Sequence, residues 1–535
     1  VATDGPVNTP IAIGSLQQAQ ILFGTTPAPT GYVQYAALAK SLTVRAFELL
    51  NAGCTDIRLC RVGGTTASTT ITDASGNALT ITANYPGAKY NGLLATAYGA
   101  NSTGAVLYNG GQQCLVITTI DGVKHVFPAT GILYGDLELL IQQSNVNVSV
   151  SGPSQSTSIV WAASATYNAA GSFSGGTDGT SPSDSVYSAQ LANCYSLIEQ
   201  YPVDIVVPCG AYLQPTYGLD ASGNITVVNS NTGDTVFYGQ NLAQFCARLS
   251  VGTHSTFGVL AVAPLVNPTY SAVVTRANQL NGVLNASGTA YITPPTAYTW
   301  NLQTGYAPST GALPGNLLDQ SGNPVNIQYL MNVVAGPDIL VNNPNFGNYV
   351  IDGAVVYAGR AASLSPYVST TNAPIGGVLA LAYQFGASVQ NALVGNNLTC
   401  FALRNTTNSV VTVSDTTYAA NGSDFANLST LRTVYAVMES VRNGLQAYIG
   451  QPNNPPTINA MGTQIARILG NWSNVGAIID GSYQIFASSA QQISGNMTVM
   501  LALTPALEIK QIQVPITLSP PANVSLAGTA NTSTN

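Results

Sequence analysis

Val203-Asp204-Ile205-Val206-Val207-Pro208 reads as a strand buried on both faces, and the helical stretch Val186 to Glu199 stands directly before it. That helix carries Tyr187, Leu191, Cys194, Tyr195 and Ile198 on one face. The pattern then repeats, with a helix around Asn241 to Leu249 leading into the apolar run Phe257 to Val262. Helix, strand, helix, strand predicts a parallel α/β layer.

Working outward, the first sixty residues give a turn, a helix and a strand. Pro10 to Ile13 is short and extended, and Ser15 is placed to cap a helix running to Phe23-Gly24. Tyr32, Tyr35, Ala36, Ala39, Leu42, Ala46, Phe47 and Leu50 then form one apolar stripe, with Lys40, Arg45 and Glu48 mostly off it. Gly53 is the expected stop, and Asp56 to Val62 alternates as a half-buried strand. From Thr65 to about Ala170 short Thr/Ile/Val runs alternate with turn signals such as Asp73-Ala74-Ser75-Gly76-Asn77 and Asp121-Gly122. Strands are expected at Leu115 to Ile120 and Val146 to Val150, and a helix at Leu133 to Gln143. Ser172 to Thr180 is a Gly-rich connector, and a helix is expected near Val355 to Ala362.

At the C-terminus Leu431, Val434, Tyr435, Met438, Val441, Leu445 and Tyr448 make a helical stripe ending at Gly450. A second helix is expected from Asn459 to Leu469, stopped by Gly470. Strand-like runs follow at Val475 to Ile479, Met497 to Leu503 and Ile509 to Ile516. The expected fold class is therefore α/β (α+β) and multidomain. Its core domain is discontinuous, from residues 1–64 plus 405–535. A mostly-β domain is inserted at 65–170, and a further α/β domain with a loop-rich outer part spans 171–404.

Composition limits the function. The 535 residues correspond to roughly three or four domains at about 150 each. Charged residues make up 7%, against about 25% in an ordinary soluble domain. With 14 Lys and Arg against 21 Asp and Glu, net charge −7, no basic stripe can displace counterions from nucleic acid. The 27 Tyr and 12 Phe exclude a disordered chain. The long uncharged stretches are broken by Pro, Gly and Asn, so none offers the ~20 apolar residues of a membrane span. The chain opens on Val1 with no basic, apolar leader and no initiator Met. Seven scattered Cys without a Cys-x-x-Cys pair read as free thiols. Few charges and many Ala, Gly, Ser, Thr and Asn suit faces covered by copies of the same chain.

Catalytic patterns are missing. His125 and His254 stand alone, far from any cluster that would ligate a metal. Gly175-Gly176-Thr177-Asp178-Gly179 lacks the Lys of a phosphate loop, and Gly171, Gly175, Gly176 and Gly179 miss dinucleotide spacing. Asp136 and Glu138 lie in a polar helical context, and there is no Gly-x-Ser-x-Gly elbow. The expectation is a protein that is not an enzyme and uses no cofactor or metal.

Four segments, in order, resemble the contractile tail sheath family of bacteriophages and related injection systems. They are Gly5-Pro6-Val7-Asn8-Thr9-Pro10 with Leu22-Phe23-Gly24 and Arg58-Leu59-Cys60-Arg61-Val62; Tyr85-Pro86-Gly87-Ala88-Lys89-Tyr90-Asn91-Gly92; Gly175 to Gly179 leading to Asp204 to Pro208; and Leu431-Arg432 with Gly450-Gln451-Pro452-Asn453-Asn454 and Gly476. Departures are the short run before Gly5, where the family carries an arm, Gly450-Gln451 where an acidic residue is common, and a poor match over 267–345.

The resemblance implies a structural subunit that stacks as hexameric rings in a helical homo-oligomer around a tail tube protein. It contracts on a baseplate trigger and drives the tube through a cell envelope. It also implies baseplate and tail terminator partners and residence in the virion tail after assembly in the host cytoplasm, with neither nucleic acid binding nor membrane insertion. The alternative is another self-assembling structural protein, a surface-layer or fibre subunit. Ile509, Ile512, Val514 and Ile516 mark a candidate inter-subunit strand, whose alternative is pairing within its own chain. Lys40, Arg45, Glu48, Arg432, Glu439 and Arg442 are candidate inter-subunit or tube contacts, whose alternative is a solvated helix face.

Overall fold

The computed structural model describes residues 4–24, 35–161, 168–179, 184–212, 238–250, 256–262, 328–343, 347–404, 409–419, 423–486 and 495–508, together with Ala2 and a few short pairs. It is a multidomain mixture of helices and small sheets, as the sequence pattern implied.

The chain begins with strand β1 (Ile11–Ile13) and helix α1 (Leu16–Phe23), whose N-cap Ser15 accepts from Gln18 N. The expected single helix over the Tyr32 to Leu50 stripe is two helices, α2 (Tyr35–Lys40) and α3 (Leu42–Asn51). They are broken at Ser41, which takes an extended backbone at φ −75° and ψ 119°. Strand β2 (Ile57–Leu59) returns antiparallel to β1.

Residues 66–173 enclose their own core. Strands β3 (Thr66–Thr72), β4 (Ala78–Pro86), β5 (Leu94–Tyr98), helix α4 (Thr103–Asn109), β6 (Cys114–Thr118), β7 (Lys124–Pro128), helix α5 (Tyr134–Gln142), β8 (Val148–Ser151) and β9 (Asn168–Ser172) follow in order. They build two antiparallel sheets, β3-β4-β8 and β7-β6-β5-β9. Ile81, Leu115, Ile117, Leu137, Trp161 and Phe173 are packed between them. The Asp73 turn is a side-chain construction: its carboxylate accepts from Ser75 N, Asn77 N and Asn77 Nδ2 at 2.8–2.9 Å and from the Tyr134 hydroxyl at 3.0 Å.

The predicted parallel layer is present at the centre. Helix α6 (Asp184–Ile198), β10 (Ile205–Val206), α7 (Tyr238–Leu249), β11 (Phe257–Ala261) and β12 (Met331–Val334) give a three-stranded parallel sheet in the order β10-β11-β12. Alternate residues face opposite ways, as strand geometry requires. Val206, Leu260, Met331 and Val333 meet α6 and α7 on one face. Ile205, Phe257, Val259 and Val334 meet α3 and the later helix α8 (Ala354–Ser363) on the other. Gly258 has no room for a side chain, because a Cβ there would stand 2.6 Å from Leu242 of α7. Between β12 and α8 lie β13 (Ile339–Asn343) and β14 (Gly347–Ile351), which with β15 (Val378–Leu381) form an antiparallel sheet. Helix α9 (Ala387–Gly395) and the hairpin β16 (Phe401–Arg404) with β17 (Ser409–Thr412) complete this unit.

The C-terminal helices are α10 (Leu428–Leu445) and α11 (Pro455–Asn474). The second starts four residues earlier than expected, with Asn454 Oδ1 accepting from Thr457 N and two prolines at the first helical positions, where a missing N–H costs nothing. It also runs past Gly470, which has open space around it and no turn to make. Strands β18 (Ile478–Phe486) and β19 (Thr498–Pro505) then pair antiparallel. The candidate strand Ile509 to Ile516 lies outside the described residues. Leu428 and Leu431 share the core of Leu38, Val44 and Phe47, so the two ends of the chain meet. They meet across β11, β12 and α8, which belong to the middle of the sequence.

The Asp73 turn supports a prediction. Burial works against its charge, but hydrogen bonds from Asn77, Tyr134 and Ser75 prevail and hold its carboxyl below the usual aspartate range. A depressed folded pKa contributes stability that is present above the unfolded value and is lost as pH falls through the folded one. Asp73→Ala is expected to cost about 2 kcal/mol at pH 7. Its deficit against wild type should shrink as pH falls below about 4, in denaturation curves collected from pH 7 downward.

Candidate assembly site

Three of the four motif segments meet at one junction, two of them on the Arg61 side chain. Arg61, fully buried, donates from Nη1 to the carbonyls of Gly5 at 3.0 Å and Pro86 at 2.7 Å. Asn8 N donates to Arg61 O at 2.8 Å. Asn91 and Gly176 exchange two bonds at 2.9 and 3.0 Å, and Asp178 Oδ1 accepts from Ala88 N at 2.8 Å. Asp4 pairs with Lys89 and accepts from the Tyr90 hydroxyl. Gly64, at φ +97°, sits where a Cβ would come within 2.8–2.9 Å of Arg61, Thr177 and Pro86. A residue there must tolerate a left-handed backbone and occupy no volume, which is glycine. The Gly-rich connector is therefore an edge laid against the start of β3, through Thr65–Thr177 and Ser68–Ser174 bridges. This junction joins the inserted β unit to the N-terminal segment.

The scarce charges fall into two groups. Arg45 and Glu48, expected among the inter-subunit or tube contacts, are enclosed within this chain, at 0% and 1% exposure. Helix α3 is covered on both sides, by Leu42 and Ala46 toward α1 and by Val44 and Phe47 toward α8, so every residue from Leu42 to Glu48 is buried. Arg45 Nη1 meets Glu48 Oε2 at 2.7 Å, and Nη2 meets Asp352 Oδ2. Nε donates to Ala39 O at 2.9 Å, and the Tyr349 hydroxyl donates to Glu48 Oε1 at 2.9 Å. Burial works against the guanidinium charge, but Asp352 and Glu48 overcome it and keep Arg45 protonated. Lys40 is also buried, 4.6 Å from the centre of the Tyr187 ring.

Arg432, Glu439 and Arg442 are half-buried on α10. Arg432 donates to Leu364 O at 2.7 Å. Arg432 and Glu439 line a cavity of ≈ 550 Å³ that also takes in Arg58, Tyr195, Tyr201 and Asp204.

The C-terminal unit packs a hairpin on two helices. Val499, Leu501 and Leu503 of β19 and Ile485 of β18 pack toward Val437, Val441, Ile465 and Leu469 of α10 and α11. The opposite face carries Ser482, Gln484, Met500 and Thr504, which are exposed. Among the described residues this sheet has two strands, with no further strand on either outer edge. Val475, Ile479, Met500 and Leu507, on its strands or within three residues of them in sequence, are exposed at 54–70%. Sequence reasoning did not single these positions out. Among the described residues no group of three His, Cys, Asp or Glu side chains is placed to hold a metal, and no helix is long and apolar enough to cross a membrane.

The chain is a mixed fold of helices and small sheets whose described C-terminal part is two helices and a hairpin. Residues 420–519 match the family model of the phage tail sheath C-terminal domain, which includes α10, α11 and the hairpin. The tail sheath resemblance read from the sequence is thus shown where the open hairpin lies. The chain is similar in fold to a sheath tail protein from Listeria innocua, at 13% identity, over 94% of this chain and 93% of that one, with a TM-score of 0.52. A sheath tail protein from Desulfitobacterium hafniense aligns over 95% of both chains at 13% identity with a TM-score of 0.49. The sheath complex of an extracellular contractile injection system in its contracted state aligns over 54% of this chain and 72% of its own, at 14% identity and a TM-score of 0.37. No curated protein matches the chain.

Two substitutions test the site. Arg45→Ala leaves two enclosed carboxylates without a counter-ion and is expected to cost about 3–5 kcal/mol in denaturation experiments. Arg61→Ala leaves the Gly5 and Pro86 carbonyls unmet at the junction. Limited proteolysis at Gly63-Gly64 should then run about tenfold faster or more, with the core of the inserted unit still intact.

Proposed function

We propose that this protein is the structural subunit of a contractile tail sheath. Copies stack as six-fold rings in a helical tube around an inner tail tube and contract to drive it through a target envelope. The observation that carries this reading is the coincidence of the family match with the open hairpin at residues 478–505. A two-stranded sheet with free edges accepts further strands through backbone hydrogen bonds, and a non-closing, heterologous contact of that kind generates a helix. Ile509, Ile512, Val514 and Ile516 are the strand offered to a neighbour. A link made of backbone hydrogen bonds survives rigid-body rotation of subunits, which contraction demands.

Residues 1–64 and 405–535 form the tube-proximal part in this reading, and 65–170 and the outer part of 171–404 face away. Of the six candidate charges, Arg432, Glu439 and Arg442 remain as contacts to the tube or to neighbours. The tail tube, baseplate and terminator proteins are the partners, in a virion tail assembled in the host cytoplasm. The chemistry is mechanical, without a cofactor or a catalytic step.

Negative-stain electron microscopy of the purified full chain, beside a version truncated before Ile509, tests this. Hollow helical tubes from the full chain that are lost on truncation are expected, in the presence of a tube template where spontaneous assembly is slow. Tubes from both versions would discard the strand and keep the sheath. Flat two-dimensional lattices would replace the sheath with a surface-layer subunit.

A further inference from the structure

The chain does not leave its last strand freely. After Pro505, Ala506 N donates to Ala477 O at 3.1 Å, and Leu507 turns outward with 67% of its surface exposed. Glu508 then turns back: its Oε2 accepts from the Ser369 hydroxyl and from the Thr371 hydroxyl at 2.8 Å. Thr370, between these two, is fully buried and gives its N–H and hydroxyl to Asp415 Oδ1 at 3.2 and 2.8 Å. Asp415 Oδ2 in turn accepts from Ser429 N at 2.7 Å, in the first turn of α10. The tripeptide Ser369-Thr370-Thr371 is thereby held by two carboxylates, one fixing the start of the long helix and the other the end of the hairpin packed on it.

We infer that Glu508, held by Ser369 and Thr371, is a positioning latch that sets the angle at which the C-terminal hairpin is presented to a second copy of this chain. The inference deepens the sheath reading and rests on it. Helix α10 is rooted in the central core by Leu428 and Leu431 at its beginning, while its later turns carry the separate small core of Val437, Val441, Ile465, Leu469 and Ile478. At 1.5 Å per residue its 18 residues span about 27 Å, so a small tilt at the root becomes a large displacement of the hairpin edges. Strand addition needs an edge aligned within hydrogen-bond tolerance over several residues. The Glu508 contact ties the base of the hairpin back to the central unit and removes that freedom. Ionised, the carboxylate accepts both hydroxyl bonds at once and makes each stronger than a neutral acceptor would.

The test uses the full chain in four forms: wild type, Glu508→Ala, the double variant Ser369→Ala with Thr371→Val, and the triple combination. In unassembled protein, hydrogen exchange at Ala506 should be about tenfold faster in every variant, with α8 amides unchanged. In assembly reactions, tube yield should fall about tenfold in Glu508→Ala and equally in the hydroxyl variant, with no further loss in the triple variant because one interaction is removed by either route. Unchanged exchange, or tubes formed at wild-type yield by the variants, would overturn the latch. So would a defect confined to Glu508→Ala. Variants that show the exchange difference, beside wild type that forms only monomers with a tube template present, would instead overturn the sheath reading, and the assembly role of the latch with it.

Discussion

A guanidinium enclosed between two carboxylates holds helix α3 and the head of α8 in register. Arg45 reaches from α3 to Asp352 at the head of α8 across 307 residues of sequence, and Glu48 and Tyr349 close the group. Removing such charges from water costs several kcal/mol per ion, which their attraction roughly repays, so the group contributes uniqueness more than net stability. An apolar seam between two helices can slide by a turn with modest loss. A seam carrying one enclosed cation and its carboxylate partners cannot slide without leaving a charge unpaired.

Around that seam the architecture is a set of short sheets joined at two tight places. One is the Arg61 junction, where the opening segment, the Tyr85 to Gly92 segment and the glycine connector share hydrogen bonds. The other is the clamp around Ser369-Thr370-Thr371. Each unit between the joints has its own buried cluster. A device whose subunits must rotate as bodies without unfolding is served by cores that are separate and joints that are polar and specific.

The elements that chemistry marks locally were legible in the sequence. Ser15 and Gly53 bound their helices because a hydroxyl cap and a left-handed stop are local requirements. The parallel layer was legible because strands covered on both faces leave continuous apolar runs. The break at Ser41 was not, since the apolar stripe continues through it and only the three-dimensional path of α2 and α3 needs the bend. Arg45 and Glu48 looked solvated because a one-sided stripe implies a free opposite face, and nothing local marks α3 as covered twice or names Asp352 as partner. Glu508 was unremarkable for the same reason: its meaning lies in Ser369 and Thr371, more than a hundred positions away.

The open hairpin has a consequence for the life of the subunit before it is built in. Among the described residues the hairpin sheet stops at two strands, and with 7% charged residues the chain meets little electrostatic repulsion from another copy. In the proposed sheath, edges that accept a correct neighbour would accept an incorrect one too, so a concentrated free pool would drift toward disordered aggregate. Synthesis would then have to be matched to the supply of growing ends, and timing of expression would be as much a part of the folding problem as the amino-acid sequence.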